Sequence, residues 1–475
     1  MYVLKFNMLN KFKPKSEFSR NVLTLMTGTT IAQAIPIAIS PILTRIYTPK
    51  DFGIFALYMS VASILSVVAT GRYELAIMLP KKDEDAVNIV VLSILISFFV
   101  SFIALLIIFF FNAPITSLLG DPKIANWLYF IPLTVLMTGL YQSFNYWSNR
   151  KKEYRQLASS RIIKSTTISS TNLFMGFSGF GSGGLIGSTI LGQGVATLFL
   201  GRLIFKDDRE IFSKIKKLKV FALAKKYIDY PKKSSIGALF NTISYQAEYI
   251  LFSIFFLFKD VGIYYFVNKI INIPKQFLSG SIWQSFLSHS QETKEYVLIS
   301  LKSKQEKVIK YSILPMLSSI FIFPQLFIII FGENWSEATE YFIPLILAMH
   351  INFVVASFSL FVIINRPDME MKFNFLLAGF KVLGIYVAYK VFNNILVSIY
   401  VLSFIQIVMF IYLGNWNYIQ LGEKKFFFTT LYMKYLLLIF APMSFLFVIS
   451  LYDSIFLNFI TYLIVNFIFF KWIQK

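Results

Sequence analysis

Lys269 and Lys275 lie in a run, Gly262 to Leu287, that is otherwise rich in Ile, Phe, Tyr and Val, and Asn268, Asn272, Gln276 and Ser279 accompany them. On a helix, residues 268, 272, 275 and 279 fall at i, i+4, i+7 and i+11 and form one stripe, with Lys269 one step round. Lipid would not accept that face, and a charge deep in an apolar helix is by default functional. An earlier apolar run carries a matching stripe, Gly237, Asn241, Ser244 and Glu248, and the first run offers Gln33, Ser40 and Thr44 leading to Arg45. Lys381 stands in a later run. These faces are expected to line a wet cavity. Each group also has a plainer role open to it. Lys269 and Lys275 can snorkel or pair with Glu248, and Arg45, at a helix end, is accounted for by topology alone. Glu248 can exchange a proton or a cation, or be fixed in a salt bridge. Lys390 and Lys434 read as snorkelling.

The elements that must position these groups follow from composition. Of 475 residues, 56% are hydrophobic and 18% aromatic, yet the formal net charge is +21. A soluble domain would not carry that combination, so the apolar residues must face lipid. Runs of about 20 apolar residues recur along the chain, long enough to cross a hydrocarbon core. They do not alternate as lipid-exposed strands would, so they are read as helices. The spans fall at Val22–Ile46, Phe52–Thr70, Ala86–Phe111, Ala125–Trp147, Ile162–Phe180, Gly184–Phe205 and Ser235–Phe258. They continue at Gly262–Leu287, Val308–Phe331, Glu337–Ile364, Phe373–Tyr389, Asn393–Leu413, Phe426–Ser450 and Ile455–Phe470. The fold class is therefore an all-α integral membrane protein with fourteen transmembrane helices.

Most Lys and Arg residues fall in the N-terminal segment (Lys5, Lys11, Lys13, Lys15, Arg20) and in every second connection. The positive-inside rule then places both termini in the cytoplasm. The same distribution argues against nucleic acid, because the charge is spread over alternating loops and no base-stacking module is visible. The N-terminal segment lacks the short apolar core and cleavage site of a signal peptide. The basic stretch "IFSKIKKLKVFALAKKY" from Ile211 is read as an interfacial helix against anionic lipid. Absence of cysteine excludes disulfides and thiol chemistry, and His289 and His350 are too isolated to hold a metal, so neither metal nor cofactor is expected.

"GFGSGG", Gly179 to Gly184, matches a dinucleotide fingerprint but follows an apolar helix rather than a strand, so it is read as a tight turn with close helix packing. No P-loop is present, so ATP does not drive the chain directly. In "LTRIYTPKDFGIF", Thr48 reads as an N-cap, Pro49 as the first helical residue, and Asp51 as the acid three residues on. Lys50, Asp51, Gly53 and Ile54 recur in register as Lys259, Asp260, Gly262 and Ile263, again joining an odd-numbered helix to the next. This implies two halves in parallel orientation. Residues 1–205 form the first bundle, 206–234 a basic cytoplasmic connector, 235–413 the second bundle, and 414–475 two peripheral helices.

"RNVLTL", "LTRIYTPKDFGIFALYMSVASI", "GRYELAIMLP" and "NRKKEYRQLASSRI" resemble the N-terminal half of bacterial polysaccharide flippases of the O-antigen (Wzx) type, in the multidrug/oligosaccharidyl-lipid/polysaccharide (MOP) exporter superfamily. The likeness is most specific over about Arg20 to Lys164. It implies two pseudo-symmetric six-helix bundles around a central cavity, two extra helices, and residence in the bacterial inner membrane. It further implies export of a polyprenyl-diphosphate-linked oligosaccharide to the periplasmic leaflet for lipopolysaccharide O-antigen or other surface polysaccharide, without enzymatic chemistry. Partners on this reading are the lipid-linked oligosaccharide, membrane lipids, H+ or Na+, and other polysaccharide-assembly proteins. A diphosphate cannot enter hydrocarbon unpaired, so it needs a wet cationic cleft. Lys269, Lys275 and Lys381, with Asn272, Gln276, Asn241, Gln33 and Arg45, are the residues assigned to it, and Glu248 to ion coupling. Two rivals fit less well. A drug or cation exporter of the same superfamily would want acids in the cleft, and a polysaccharide polymerase or ligase would want a long extracytoplasmic loop with acid-base residues.

Overall fold

The computed structural model describes residues 17–120, 122–287, 293–361, 363–364, 366–450 and 455–474. Lys5, Lys11, Lys13, Lys15 and His289 lie outside the described residues. Every regular element among those described is helical. The principal helices are α1 (Glu17–Ile46), α2 (Pro49–Ser66), α3 (Asp83–Leu119), α4 (Ile131–Arg150), α5 (Tyr154–Phe177), α6 (Ser182–Asp207), α7 (Lys217–Lys226), α8 (Ser235–Phe255) and α9 (Phe258–Ile271). They continue with α10 (Ile273–Leu287), α11 (Lys294–Ser318), α12 (Phe323–Phe331), α13 (Ala338–Ala356), α14 (Pro367–Phe392), α15 (Ile395–Gln420), α16 (Phe427–Leu438), α17 (Phe440–Ser450) and α18 (Ile455–Gln474).

Among the described residues, 7 helices are long and apolar enough to cross a membrane, or up to 10 if each of three bent pairs is one span. The remaining expected spans are also helical over most of their length. They are α2, α5 with Arg161 and Lys164, α8 with Asn241 and Glu248, and the α9–α10 pair with Lys269 and Lys275. Lys50 and Asp51 charge the first turn of α2, polar side chains interrupt α5 and α8, and α9 and α10, at 14 and 15 residues, are each too short to cross alone.

The chain divides into two compact units, Met1–Ile46 with Tyr58–Thr242, and Tyr47–Leu57 with Ile243–Lys475. In the first unit α1 packs along α5, α5 on α6, α6 on α4, and α4 on α3. In the second, α11 packs on α13, α13 on α15, and α15 on α14. There α14 meets α8 where the Phe255 and Tyr389 rings stack at 4.5 Å. The order of neighbours is thus the same in both units, with α8 in the place of α1 and α14 in that of α5. Helices α16 and α18 lie against α11.

The start of α2 is held by a reciprocal cap. The Thr48 backbone N–H and hydroxyl donate to the Asp51 carboxylate at 3.0 and 2.7 Å, and the Asp51 N–H donates to the Thr48 hydroxyl at 3.2 Å. This satisfies orphan donors of the first turn and sets the acid at the positive end of the helix dipole. The first half of α2 belongs to the second unit, where it meets α9. A Cβ on Gly53 would overlap the Phe258 carbonyl oxygen, and one on Gly262 the Pro49 carbonyl oxygen. The two copies of the repeated motif therefore touch, each glycine resting on backbone of the other helix. Phe52 packs edge-on against Phe266 at 5.5 Å and Trp335 at 5.2 Å, closing the crossing with aromatic surface.

The basic connector folds onto the first unit through one face of α7. Val220 and Leu223 of α7 join a core cluster with Tyr73, Ile77 and Trp147. Lys214 pairs with Glu84 at 3.0 Å, Lys219 with Asp85 at 3.0 Å, and the Tyr73 hydroxyl donates to the Ala224 carbonyl at 2.8 Å. Asp83, Glu84 and Asp85 crowd the N-terminus of α3, and that acidic turn draws the lysines. Leu218 and Phe221 remain exposed on the other side of α7. In the 179–184 stretch, Gly179 and Gly181 adopt positive φ of 79° and 53°, and a Cβ on Gly183 would meet the Trp127 ring. It is a turn with tight packing, as the sequence predicts.

Candidate functional site

The polar faces of α8, α9, α10, α13 and α14 meet inside the second unit. Glu248 and Lys381 form an ion pair at 3.0 Å with side chains 5% and 3% exposed. Lys381 also donates to the Ser244 carbonyl at 3.0 Å. A buried pair of this kind persists only when further hydrogen bonds satisfy both ions. Asn268 supplies one, donating to Glu248 at 3.4 Å and to the Tyr249 hydroxyl at 2.7 Å, and Asn272 donates to Asn268 at 2.8 Å. The i, i+4 spacing of the two asparagines, read from sequence as a stripe, is what lets them bond.

Lys275 donates to the Asn352 side-chain oxygen at 2.8 Å. Its ammonium lies 6.0 Å from the Tyr245 ring, and that of Lys381 lies 5.6 Å from the same ring. One aromatic face thus serves two cations, at distances where such attraction operates. Lys269, half-buried on α9, has no acid within ion-pair distance among the described residues. Glu370, at the start of α14, is a second acid within electrostatic reach of Tyr245. Two lysines, Lys275 and Lys381, therefore share the ring, and Glu248 is already paired with Lys381. Lys275 is thus hydrogen-bonded to a neutral amide and not to an acid, which leaves its ammonium able to meet an anion in a low-dielectric setting.

Of the residues singled out in the sequence, Glu248, Lys381, Lys275 and Asn272 come together here, with Lys269 beside them on α9. Gln276 is exposed on α10. Asn241, Gln33 and Arg45 belong to the first unit. Gln33 is half-buried on α1, and the Arg45 guanidinium donates back to the Pro41 carbonyl at 2.7 Å. Arg72 and Glu74 form an ion pair at 3.4 Å. His350 bonds the Ser312 hydroxyl at 2.8 Å and the Tyr432 hydroxyl at 2.6 Å, tying α11, α13 and α16 together in a structural role. Among the described residues no cluster of His, Asp or Glu suits a metal.

Sequence reasoning passed over Tyr245 and Asn352, and also Arg161 and Lys164. Tyrosine is too frequent in this chain for one ring to stand out. Asn352, a lone amide in the apolar run of α13, carried a usable signal. Arg161 and Lys164 stand at the edge of a fifth span that starts at Ile162, whereas α5 begins at Tyr154. They sit well inside it, Arg161 donating to the Thr29 hydroxyl at 2.5 Å and Lys164 standing 5.6 Å from the Tyr141 ring.

A family model described as polysaccharide biosynthesis protein matches residues 42–340, more than half of the chain. The succinoglycan biosynthesis transport protein ExoT of Rhizobium meliloti is 23% identical over 311 residues, 63% of this chain. The chain spans 59% of the length of that relative. Among solved structures, the lipid II flippase MurJ in an inward closed conformation superposes with a TM-score of 0.68 at 13% identity, covering 94% of this chain and 99% of that one. An inward-facing multidrug resistance MATE family transporter of the MOP superfamily gives 0.60 at 12% identity, covering 83% and 98%. These likenesses show that the chain shares the fold of those two structures.

Proposed function

The chain belongs to the polysaccharide biosynthesis protein family, and from that premise we propose that it is a flippase for polyprenyl-diphosphate-linked oligosaccharides. It spans the bacterial inner membrane fourteen times with both termini in the cytoplasm, and it carries the headgroup to the periplasmic leaflet by alternating access, for O-antigen or another surface polysaccharide. The observation that carries this reading is the pair of buried ammonium groups at the Tyr245 ring, of which Lys381 is paired with Glu248 and Lys275 is bonded to a neutral amide. Lys275, hydrogen-bonded to the neutral Asn352 amide beside the Tyr245 ring, and Lys269, with no acid within ion-pair distance among the described residues, take the diphosphate. Asn272 and Gln276 serve the sugar side, and the polyprenyl chain stays in lipid. The relative ExoT is named for succinoglycan transport, and the structural neighbour MurJ for flipping lipid II, both compatible with a lipid-linked sugar. A drug or cation exporter would want acids in the cleft, and the lysines assigned to it favour an anionic substrate instead.

The Glu248–Lys381 pair offers a coupling step. An anion drawn toward Lys381 competes with Glu248, whose carboxylate then takes up a proton or a cation. The membrane potential adds about 2.3 kcal/mol per exported negative charge per 100 mV, less whatever positive charge travels with the substrate.

Translocation of a labelled polyprenyl-diphosphate oligosaccharide into inverted vesicles tests the proposal. Wild type transports, and Lys275→Ala transports about tenfold to a hundredfold more slowly, the worth of one charge-assisted contact of 1.5–3 kcal/mol. A wild type that moves no lipid-linked sugar overturns the function. An unaffected Lys275→Ala overturns the site.

A further inference from the structure

Away from the cluster just described, α11 and α16 enclose an open cavity of about 480 Å³ in the second unit. It shares no residue with the Lys275 site. Along α11 it is lined by Lys302, Ser303, Glu306, Lys307 and Lys310, and from α16 by Tyr435. Positive-inside topology alone would scatter lysines over this segment. Instead three of them turn into one groove, while Lys294 and Lys304 of the same helix stay out of it. The acids in reach are already engaged. Lys302 pairs with Glu423 and stands 4.7 Å from the Phe427 ring. Glu306 accepts the Tyr435 hydroxyl at 2.7 Å and has Lys434 at 4.0 Å. Lys307 and Lys310 have no acid within ion-pair distance among the described residues.

We infer that this groove holds the headgroup of an anionic bilayer phospholipid of the phosphatidylglycerol class, its phosphodiester between Lys307 and Lys310 and its glycerol hydroxyls on Glu306 and Ser303. Basic pockets between membrane helices bind anionic headgroups because fixed ammoniums meet the phosphate at the interface. Glu306 sets the class: it repels a second phosphate but accepts hydroxyl hydrogens, so a diol headgroup fits better than a diphosphate. The exposed Tyr311, next to Lys310 on α11, is of the type that anchors at the headgroup level. The groove also joins α16 to α11, so a bound lipid brackets the last helices onto the second unit.

The test is native mass spectrometry of the full-length protein in detergent, titrated separately with dioleoyl phosphatidylglycerol, dioleoyl phosphatidylcholine and undecaprenyl diphosphate. Wild type is expected to bind one phosphatidylglycerol about tenfold more tightly than phosphatidylcholine. Lys307→Gln/Lys310→Gln should lose that preference while keeping its helical content, its thermal midpoint without lipid, and its undecaprenyl diphosphate binding. The charge-matched control Lys294→Gln/Lys304→Gln should retain it. Absence of the preference in wild type, its survival in the double variant, or an equal loss in the control overturns the proposal. So does a double variant that loses undecaprenyl diphosphate and keeps phosphatidylglycerol, since the groove would then belong to the transported lipid. None of these readings depends on transport, so they stand or fall apart from the flippase assignment.

Discussion

Lys381→Met is expected to lower stability by about 3–5 kcal/mol, because it strands the Glu248 carboxylate in a site where both partners are almost fully buried. Adding Glu248→Gln should return most of that loss, since a neutral amide facing a methionine carries no uncompensated charge. Thermal unfolding in detergent reads both effects. Transport separates structure from coupling: the double variant, stable again, has no carboxylate to exchange a proton or cation, and its export should remain well below wild type. A single variant as stable as wild type would show that water or ions reach the pair freely. A double variant that transports normally would remove Glu248 from the coupling step.

Gly53→Ala and Gly262→Ala are each expected to cost about 1–3 kcal/mol, and the valine variants more, with loss of transport. Neither clash can be relieved by rotating a side chain, because the obstacle at each glycine is a backbone carbonyl, of Phe258 for Gly53 and of Pro49 for Gly262. The helices must move apart, and Phe52 then loses its place against Phe266 and Trp335. Both substitutions act on one crossing, so their effects should not add: once the first alanine has spread the helices, the second finds room. Full additivity in thermal unfolding would mean that the two copies of the motif act independently.

The repeat of Lys, Asp, Gly and Ile at 50 and 259 was visible in the sequence, as was the capping chemistry of Thr48 and Asp51. That the two glycines face each other was not, because a motif match reports register along the chain and is silent on which helices meet. The polar stripe of α9 and α10 was legible for the same reason that capping was, since helical spacing alone puts Asn268 and Asn272 on one face. Its break at Asn272, where α9 ends and α10 begins, was not. Lys381 read as one more ligand cation, and its carboxylate partner lies on a helix more than a hundred residues away in sequence. Pairwise burial of that kind leaves no local trace. The connector shows the opposite limit: its basic amphipathic pattern suits a lipid surface, and only the acids at the start of α3 show why Val220 and Leu223 turn inward.

The premise underlying the assignment is that unneutralised ammonium groups on α9 and α10 recognise the diphosphate. The most direct measurement is the affinity of polyprenyl diphosphate relative to uncharged polyprenol, for wild type and for Lys269→Gln/Lys275→Gln, with the Glu248–Lys381 pair left intact. Wild type should prefer the diphosphate by about tenfold or more, and the double variant should bind both lipids alike with its affinity for polyprenol unchanged. A diphosphate preference that persists in a folded double variant would contradict the account.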